Sequence, residues 1–304
     1  MTRTMIRKDF KRNRYIYLMA LPVLAYYLLF HYQPMYGAII AFKDFTPAGG
    51  ILGSPWVGLK HFHTFFTGPY AFRLIRNTFL ISFYELIFGF PAPLLLAILL
   101  NEVMAIRYKR VIQTLSYLPH FISLVVICSL IKNFTASTGV INDIIAFLFG
   151  EEARGTLLQD PAKFRTVYVA SGIWQGVGWG SIIYLASISR IDQQLYEAAI
   201  IDGAGRFARM LHVTLPGILP TIIIMLILRM GSLMSVGFEK VFLLYNSGIY
   251  ETADVISTYV CRRGIIDTDW SFSAAVGLFN SVVNFVLVVS ANYISGKVSE
   301  TSLW

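Results

Sequence analysis

The chain reads as an all-α polytopic membrane protein with six spanning helices. Three observations predict this fold class. Of its 304 residues, 56% are apolar and 14% charged; the mean hydropathy is +0.62; and the apolar residues gather in six runs of about 20, the length that crosses hydrocarbon as a helix. A water-soluble fold of this length could not hide so much apolar side chain.

The first run, roughly Tyr15 to Tyr32, follows a basic start (Arg7, Lys8, Lys11, Arg12, Arg14). No small-x-small cleavage site closes it, and it continues through Pro34 and Gly37 into Ile39 and Phe42, so a retained anchor is expected rather than a removed signal. The loop Lys43 to Ala71, rich in Gly, Pro and aromatics, is expected to fold as an ordered cap. The second run, Thr78 to Leu100, contains Glu85. The third, Val111 to Ile131, is followed by an apolar patch, Ile141 to Phe149, that suits a short surface helix. The fourth, Val167 to Ile188, carries Trp174, Gln175 and Trp179, and its Gly176, Gly178 and Gly180 suit close helix packing. The fifth, Ile218 to Phe238, places Arg229 near its middle. The sixth, Phe272 to Ile294, has Asn280 and Asn284 four apart on one stripe.

An ionised group at membrane depth costs at least ~3 kcal/mol, so Arg229 requires a partner or a watery cavity, and Glu85 is the obvious partner. The pair either holds the bundle together or lines a path for a polar or anionic solute. Trp174, Gln175, Trp179, Asn280 and Asn284 are further candidates for such a path, since indoles stack on sugar rings and amides bond hydroxyls. Packing is the alternative for each.

Lysines and arginines are about twice as dense at the amino terminus, near residues 101–110, in the loop 189–217 and in the tail as in the alternate loops, which places both termini and the 189–217 loop in the cytoplasm. The net charge of +8 suits anionic lipid headgroups and does not call for nucleic acid. Cys128 and Cys261 specify neither a disulfide framework nor a metal knuckle. His61 and His63 are weak evidence for metal, and no metal site is expected. No linker is visible, so residues 1–304 are expected to form one transmembrane domain.

The most specific signal lies in the cytoplasmic loop, about 190–217. Glu197-Ala198-Ala199, Gly203 and Val213-Thr214-Leu215-Pro216, with Thr214 left free, fix residue type at seven of twenty positions, a string with a chance probability on the order of 10⁻⁵. Residues from Gln193 to Gly203, including Asp202, suit a short helix with a small-residue face. Gly203 and Gly205 permit a bend, and a second short helix from Phe207 leads to Pro216 at the start of helix five. Gly203-Ala204-Gly205-Arg206-Phe207-Ala208 fits a loose dinucleotide fingerprint, but no strand precedes it and no acidic residue follows at the needed distance.

This string resembles the E-A-A loop of bacterial ABC-importer permeases, with Val213 standing where that pattern has Ile. Tyr32-Gln33-Pro34-Met35-Tyr36-Gly37 through Phe45, Tyr250-Glu251-Thr252-Ala253-Asp254 and Arg262-Arg263-Gly264 are similar to the polysaccharide and complex-oligosaccharide branch, the alginate importers among them. The resemblance implies the fold of a type I ABC importer permease (MetI-like). It also implies a second homologous permease, two ATPase subunits and an extracytoplasmic solute-binding protein as partners, and an oligosaccharide as cargo in the inner membrane. On it, the loop is a coupling helix that enters a groove on the ATPase. Glu197 would meet a basic residue there, Ala198 and Ala199 would allow close approach, Asp202 would lie on the same helix, Gly203 would make the bend, and Leu215-Pro216 would join it to helix five.

No G-x-x-x-x-G-K-[ST] occurs, so this chain does not hydrolyse ATP through a P-loop; the resemblance implies that ATP and Mg belong to the partner subunits, and that this chain needs no cofactor and is not an enzyme. A stand-alone carrier or channel is the alternative. It calls for an intramembrane ion-coupling cluster or inverted repeats, and neither is evident.

Overall fold

The computed structural model describes residues 12–299, 302 and 303; Arg7, Lys8 and Lys11 of the basic start lie outside the described residues. The described chain is mostly helical; loops join the helices, and an isolated bridge pairs Lys43 with Trp56. Its helical stretches are α1 (Arg14–Phe42), α2 (Lys60–Thr67), α3 (Ala71–Glu102), α4 (Ile106–Tyr117), α5 (Leu124–Thr135), α6 (Val140–Phe149), α7 (Pro161–Ile188), α8 (Gln193–Ile201), α9 (Arg206–Met230), α10 (Phe238–Leu244), α11 (Ile256–Cys261) and α12 (Trp270–Ser299).

Five described stretches are long and apolar enough to cross a membrane: α1, α3, the stretch Leu124–Phe149, α9 and α12. The sixth expected span is α7, 28 residues long, about 42 Å at 1.5 Å per residue. It packs against α3, α4 and α9, with Gly178 against Ser116 and Gly180 against Pro93.

Two expectations about span limits are corrected. Val111 to Ile131 is not one helix. Pro119 lacks an N–H, and the chain passes through a tight turn at Leu118–Phe121 between α4 and α5. The fifth span ends at Met230 rather than Phe238: turns at Ser232, Leu233 and Ser235 follow. Asn284 fixes that exit, accepting from the Met234 N–H at 2.8 Å and donating to Ser235 Oγ at 3.0 Å.

Local chemistry also shapes α3. Pro91 cannot donate to the carbonyl four residues back, so the helix widens over Glu85–Gly89 and the Phe90 N–H reaches the Glu85 carbonyl, five residues back, at 3.0 Å. Such a bulge turns the side chain of Glu85 out of an ideal helical register.

By its packing the chain groups into two units. One comprises the residues up to Thr67 with Arg263–Leu278; the other comprises Gly68–Arg262 with the residues from Phe279 on. In the first, the expected ordered cap is present. The Val57 N–H bonds the Phe42 carbonyl at 2.8 Å, Trp56 stacks on Phe42, and Asp44 accepts from Lys60 at 2.7 Å and faces His61 at 3.0 Å. The bond from Lys60 holds the Asp44 carboxyl below its ordinary range. In the second unit, one apolar core joins Ile81, Ile127, Phe164, Tyr168 and Val241, and another joins Ile98, Tyr184, Ile188 and Ile218. Fully buried Asp254 is paired with Arg262 at 2.7 Å and Arg73 at 3.6 Å, while Asn77 donates to the Glu251 and Asp254 carbonyls. The expected short helix at Ile141 to Phe149 forms as α6, with Phe147 exposed.

Candidate functional site

The 190–217 loop forms the bent knob that its residues predict. Asp192 caps α8, accepting from the Gln194 N–H at 2.9 Å. After Ile201 the chain reverses at Gly203, whose φ of +75° is open to glycine and costly for other residues; the Ala204 N–H closes the turn on the Ala199 carbonyl at 2.8 Å. Gly205 has a negative φ and only begins the next helix. The knob is tied down at its base. The Tyr196 hydroxyl meets buried Thr214 Oγ1 at 2.9 Å, and a Cβ at Gly217 would stand 2.7 Å from Ile191 Cδ1.

Glu197, Ala198, Asp202, Leu195, Ile200 and Phe207 are exposed, and Ile201 is 85% exposed. An apolar surface of this kind, rimmed by charge and held on a rigid base, marks a docking face. One expectation is corrected here. Leu215-Pro216 does not start a helix, because the backbone runs helically from Arg206 to Met230. The missing Pro216 donor is absorbed by a widened turn at Met210–Thr214, with Leu215 bonded back to Met210.

A second site lies inside the second unit. A hollow of about 380 Å³ is lined by Glu85, Gly89, Pro93, Gly172, Gly176, Gly180, Arg229 and Ser232 among others. Arg229 donates to Glu85, as expected, but from the last turn of α9, where the guanidinium also sits favourably by the helix's negative end. The two side chains are 33% and 24% exposed, so the pair is open to the hollow rather than sealed in a core.

The small residues of α7 divide their work. A Cβ at Gly178 would stand 2.1 Å from the Ser116 carbonyl oxygen, and one at Gly180 2.9 Å from Pro93, so these two allow helices to cross closely. Gly176 meets nothing within 4 Å. The other predicted path residues are spread out. Trp174 borders a separate apolar hollow with Leu130 and Phe134. Trp179 stacks on His120 at 4.7 Å. Gln175 is half-buried and outside the lining of the Arg229 hollow. Asn284 braces the turn after α9, and Asn280 has a buried Oδ1 without a hydrogen-bond partner among the described residues.

Sequence reasoning missed Lys240, assigned to an outer loop. It is 7% exposed, donates to the Tyr168 carbonyl at 2.9 Å and lies 4.6 Å from the Tyr168 ring centroid. The available signal was a lysine, following Glu239, at the head of the apolar run Val241-Phe242-Leu243-Leu244.

A family model for the inner membrane component of binding-protein-dependent transport systems matches residues 89–300, which include the knob and Arg229. The chain belongs to this family. The permease is 49% identical over 295 residues to Protein LplB of Bacillus subtilis (strain 168), covering 97% of this chain and 92% of that protein. It is 45% identical over 294 residues to the polygalacturonan/rhamnogalacturonan transport system permease protein YteP of the same organism, covering 96% and 91%. Among solved structures, a chain of a bacterial ABC transporter involved in the import of the acidic polysaccharide alginate superposes with a TM-score of 0.88 at 42% identity, covering 97% of this permease and 99% of that chain. A chain of the alginate ABC transporter in complex with an alginate pentasaccharide-bound periplasmic protein gives 0.89 at 41%. The permease is thus a multi-pass membrane protein of the ABC-importer class, and the E-A-A resemblance read from the loop is borne out at the level of family.

Proposed function

We propose that this permease forms half of the translocation path of an ATP-driven importer for acidic oligosaccharides. Its partners in this reading are a second, similar permease, two ATPase subunits that supply ATP and Mg, and an external solute-binding protein. The chain itself catalyses no reaction and holds no cofactor. The observation that carries the proposal is the knob of α8, exposed at Glu197 and Ile201 yet tied to α9 through Tyr196 and Thr214.

Closure of the ATPase pair pushes on Glu197, Ala198, Ala199 and Asp202. The bend at Gly203 keeps α8 at a fixed angle to the helix that carries Leu215 and Pro216, so the push becomes a rocking of α9 and the bundle packed on it. The pathway alternates between outward and inward access. Both termini and the knob face the cytoplasm, consistent with the dense basic residues near them. An acidic cargo accords with Arg229 in the hollow and with the cargoes named for the relatives, polygalacturonan and alginate.

The test is extraction of the assembled complex in mild detergent. Wild-type permease should bring its ATPase subunits through purification, and Glu197→Lys should release most of them by placing like charges at the contact. Undiminished ATPase retention with full sugar-stimulated hydrolysis in that variant would remove the role given to α8.

A further inference from the structure

Glu85 and Arg229 line the hollow and Lys240 lies behind it, past Gly172; together the three make an unbalanced set of charges. Arg229 is paired with Glu85. Lys240, more than nine-tenths buried, has only a carbonyl and an aromatic ring for partners, and makes no ion pair among the described residues. Between Lys240 and Glu85 stands Gly172. A Cβ there would be 3.2 Å from Lys240 Nζ and 3.9 Å from Glu85 Oε1, so the ammonium and the carboxylate face each other across a residue with no side chain. Two cations thus stand about one carboxylate, Arg229 partly exposed to the hollow and Lys240 buried without a counter-charge, where a lone charge is disfavoured and a paired one is not. The missing element is a second anion, and the hollow of about 380 Å³ open to Arg229 has room for one sugar carboxylate with its ring.

We propose that Arg229, Glu85 and Lys240 form an ion-pair exchange that admits sugars by their carboxylate: the sugar carboxylate takes Arg229, and the displaced Glu85 turns across Gly172 to pair with Lys240. No bond is made or broken and no proton moves. The set passes from one pair and a spare cation to two pairs. A neutral sugar cannot complete the exchange, because it offers Arg229 no charge in return for Glu85. Lys240 is therefore a specificity residue that acts by receiving Glu85, while Arg229 is the group that touches cargo. This inference rests on the import of acidic oligosaccharides proposed above.

The test uses the whole complex of both permeases, ATPases and binding protein in liposomes. Uptake of oligogalacturonates and alginate oligosaccharides is compared with that of the same oligosaccharides after reduction of their carboxyl groups. Wild type should prefer the acidic forms. Lys240→Met and Gly172→Ala, the second keeping every charge but filling the crossing, should each reduce that preference by about tenfold or more, as expected when a buried charge loses its partner, and Lys240→Arg should restore much of it. A purely structural Lys240 would lower uptake of both forms alike and leave the preference intact, which would overturn the exchange. Should Lys240→Met fail to assemble, Gly172→Ala decides alone. A wild-type complex that imports only the reduced, neutral forms would instead refute the acidic-cargo reading itself.

Discussion

Two glycines of one helix, two residues apart, should respond to the same substitution with opposite signs. At Gly178 an added methyl would lie 2.1 Å from the Ser116 carbonyl oxygen, 2.4 Å from its carbon and 2.8 Å from the Tyr117 nitrogen. All three atoms are backbone, so no rotamer change relieves the contact; the end of α4 must retreat by about 1.3 Å or more to reach ordinary van der Waals separation. Overpacking of this kind costs about 3 kcal/mol at its upper range, offset by the ~1 kcal/mol that alanine gains over glycine in a helix. Gly178→Ala should therefore lose about 2 kcal/mol. At Gly176 nothing lies within 4 Å, so Gly176→Ala keeps the whole propensity gain of ~1 kcal/mol. The difference of about 3 kcal/mol corresponds to roughly 6–12 °C in Tm for a chain of this size. Thermal unfolding of the two purified variants in the same detergent measures it. Equal melting temperatures would refute the close crossing of α4 and α7.

Two further outcomes are expected. Arg229→Ala removes the ion pair that Glu85 makes at rest and should destabilise by about 1–3 kcal/mol, less than for a sealed pair because both side chains remain partly exposed and because Lys240 stands across Gly172 to receive the freed carboxylate. The Arg229→Ala, Glu85→Ala double variant should recover part of that loss, and strictly additive effects in a double-mutant cycle would rule out the coupling. In the outer cap, the Asp44 carboxyl is held low first by the bond from Lys60. Its native value lies below its unfolded one, so its contribution is complete above the ordinary carboxylate range and is lost as pH falls through the lowered native value. Melting curves taken at descending pH should converge for wild type and Lys60→Met only at the acid end, and adding salt should shrink the gap, since Asp44 is 38% exposed.

The fold class was legible because lipid imposes a single rule, that backbone groups be satisfied within a helix, and the apolar runs obey it. The knob was legible for another reason. Gly203 and the small face at Ala198-Ala199 each have a local conformational role that survives without knowledge of the rest of the chain, whereas the cap at Asp192 came only with the structure. What stayed hidden depends on distant partners. Hydropathy carried helix five through Leu233 and Val236, whereas the helix stops at Met230 because Asn284, fifty residues later, satisfies the backbone that leaves it. The break at Pro119 was masked by apolar residues on either side. Lys240 passed as a loop residue, since nothing nearby in sequence reveals that Tyr168 receives it. Glu85 and Arg229 could be matched because charge within hydrocarbon leaves few choices.

From Thr214, where the knob is tied down, the helix runs 15 residues to Arg229, about 22 Å of rod. A tilt of about 10° imposed at the root would sweep Arg229 through ~4 Å, approaching the width of a sugar ring. No hinge need fire and no signal need pass from residue to residue: a lever this long reports at its tip whatever angle is set at its base.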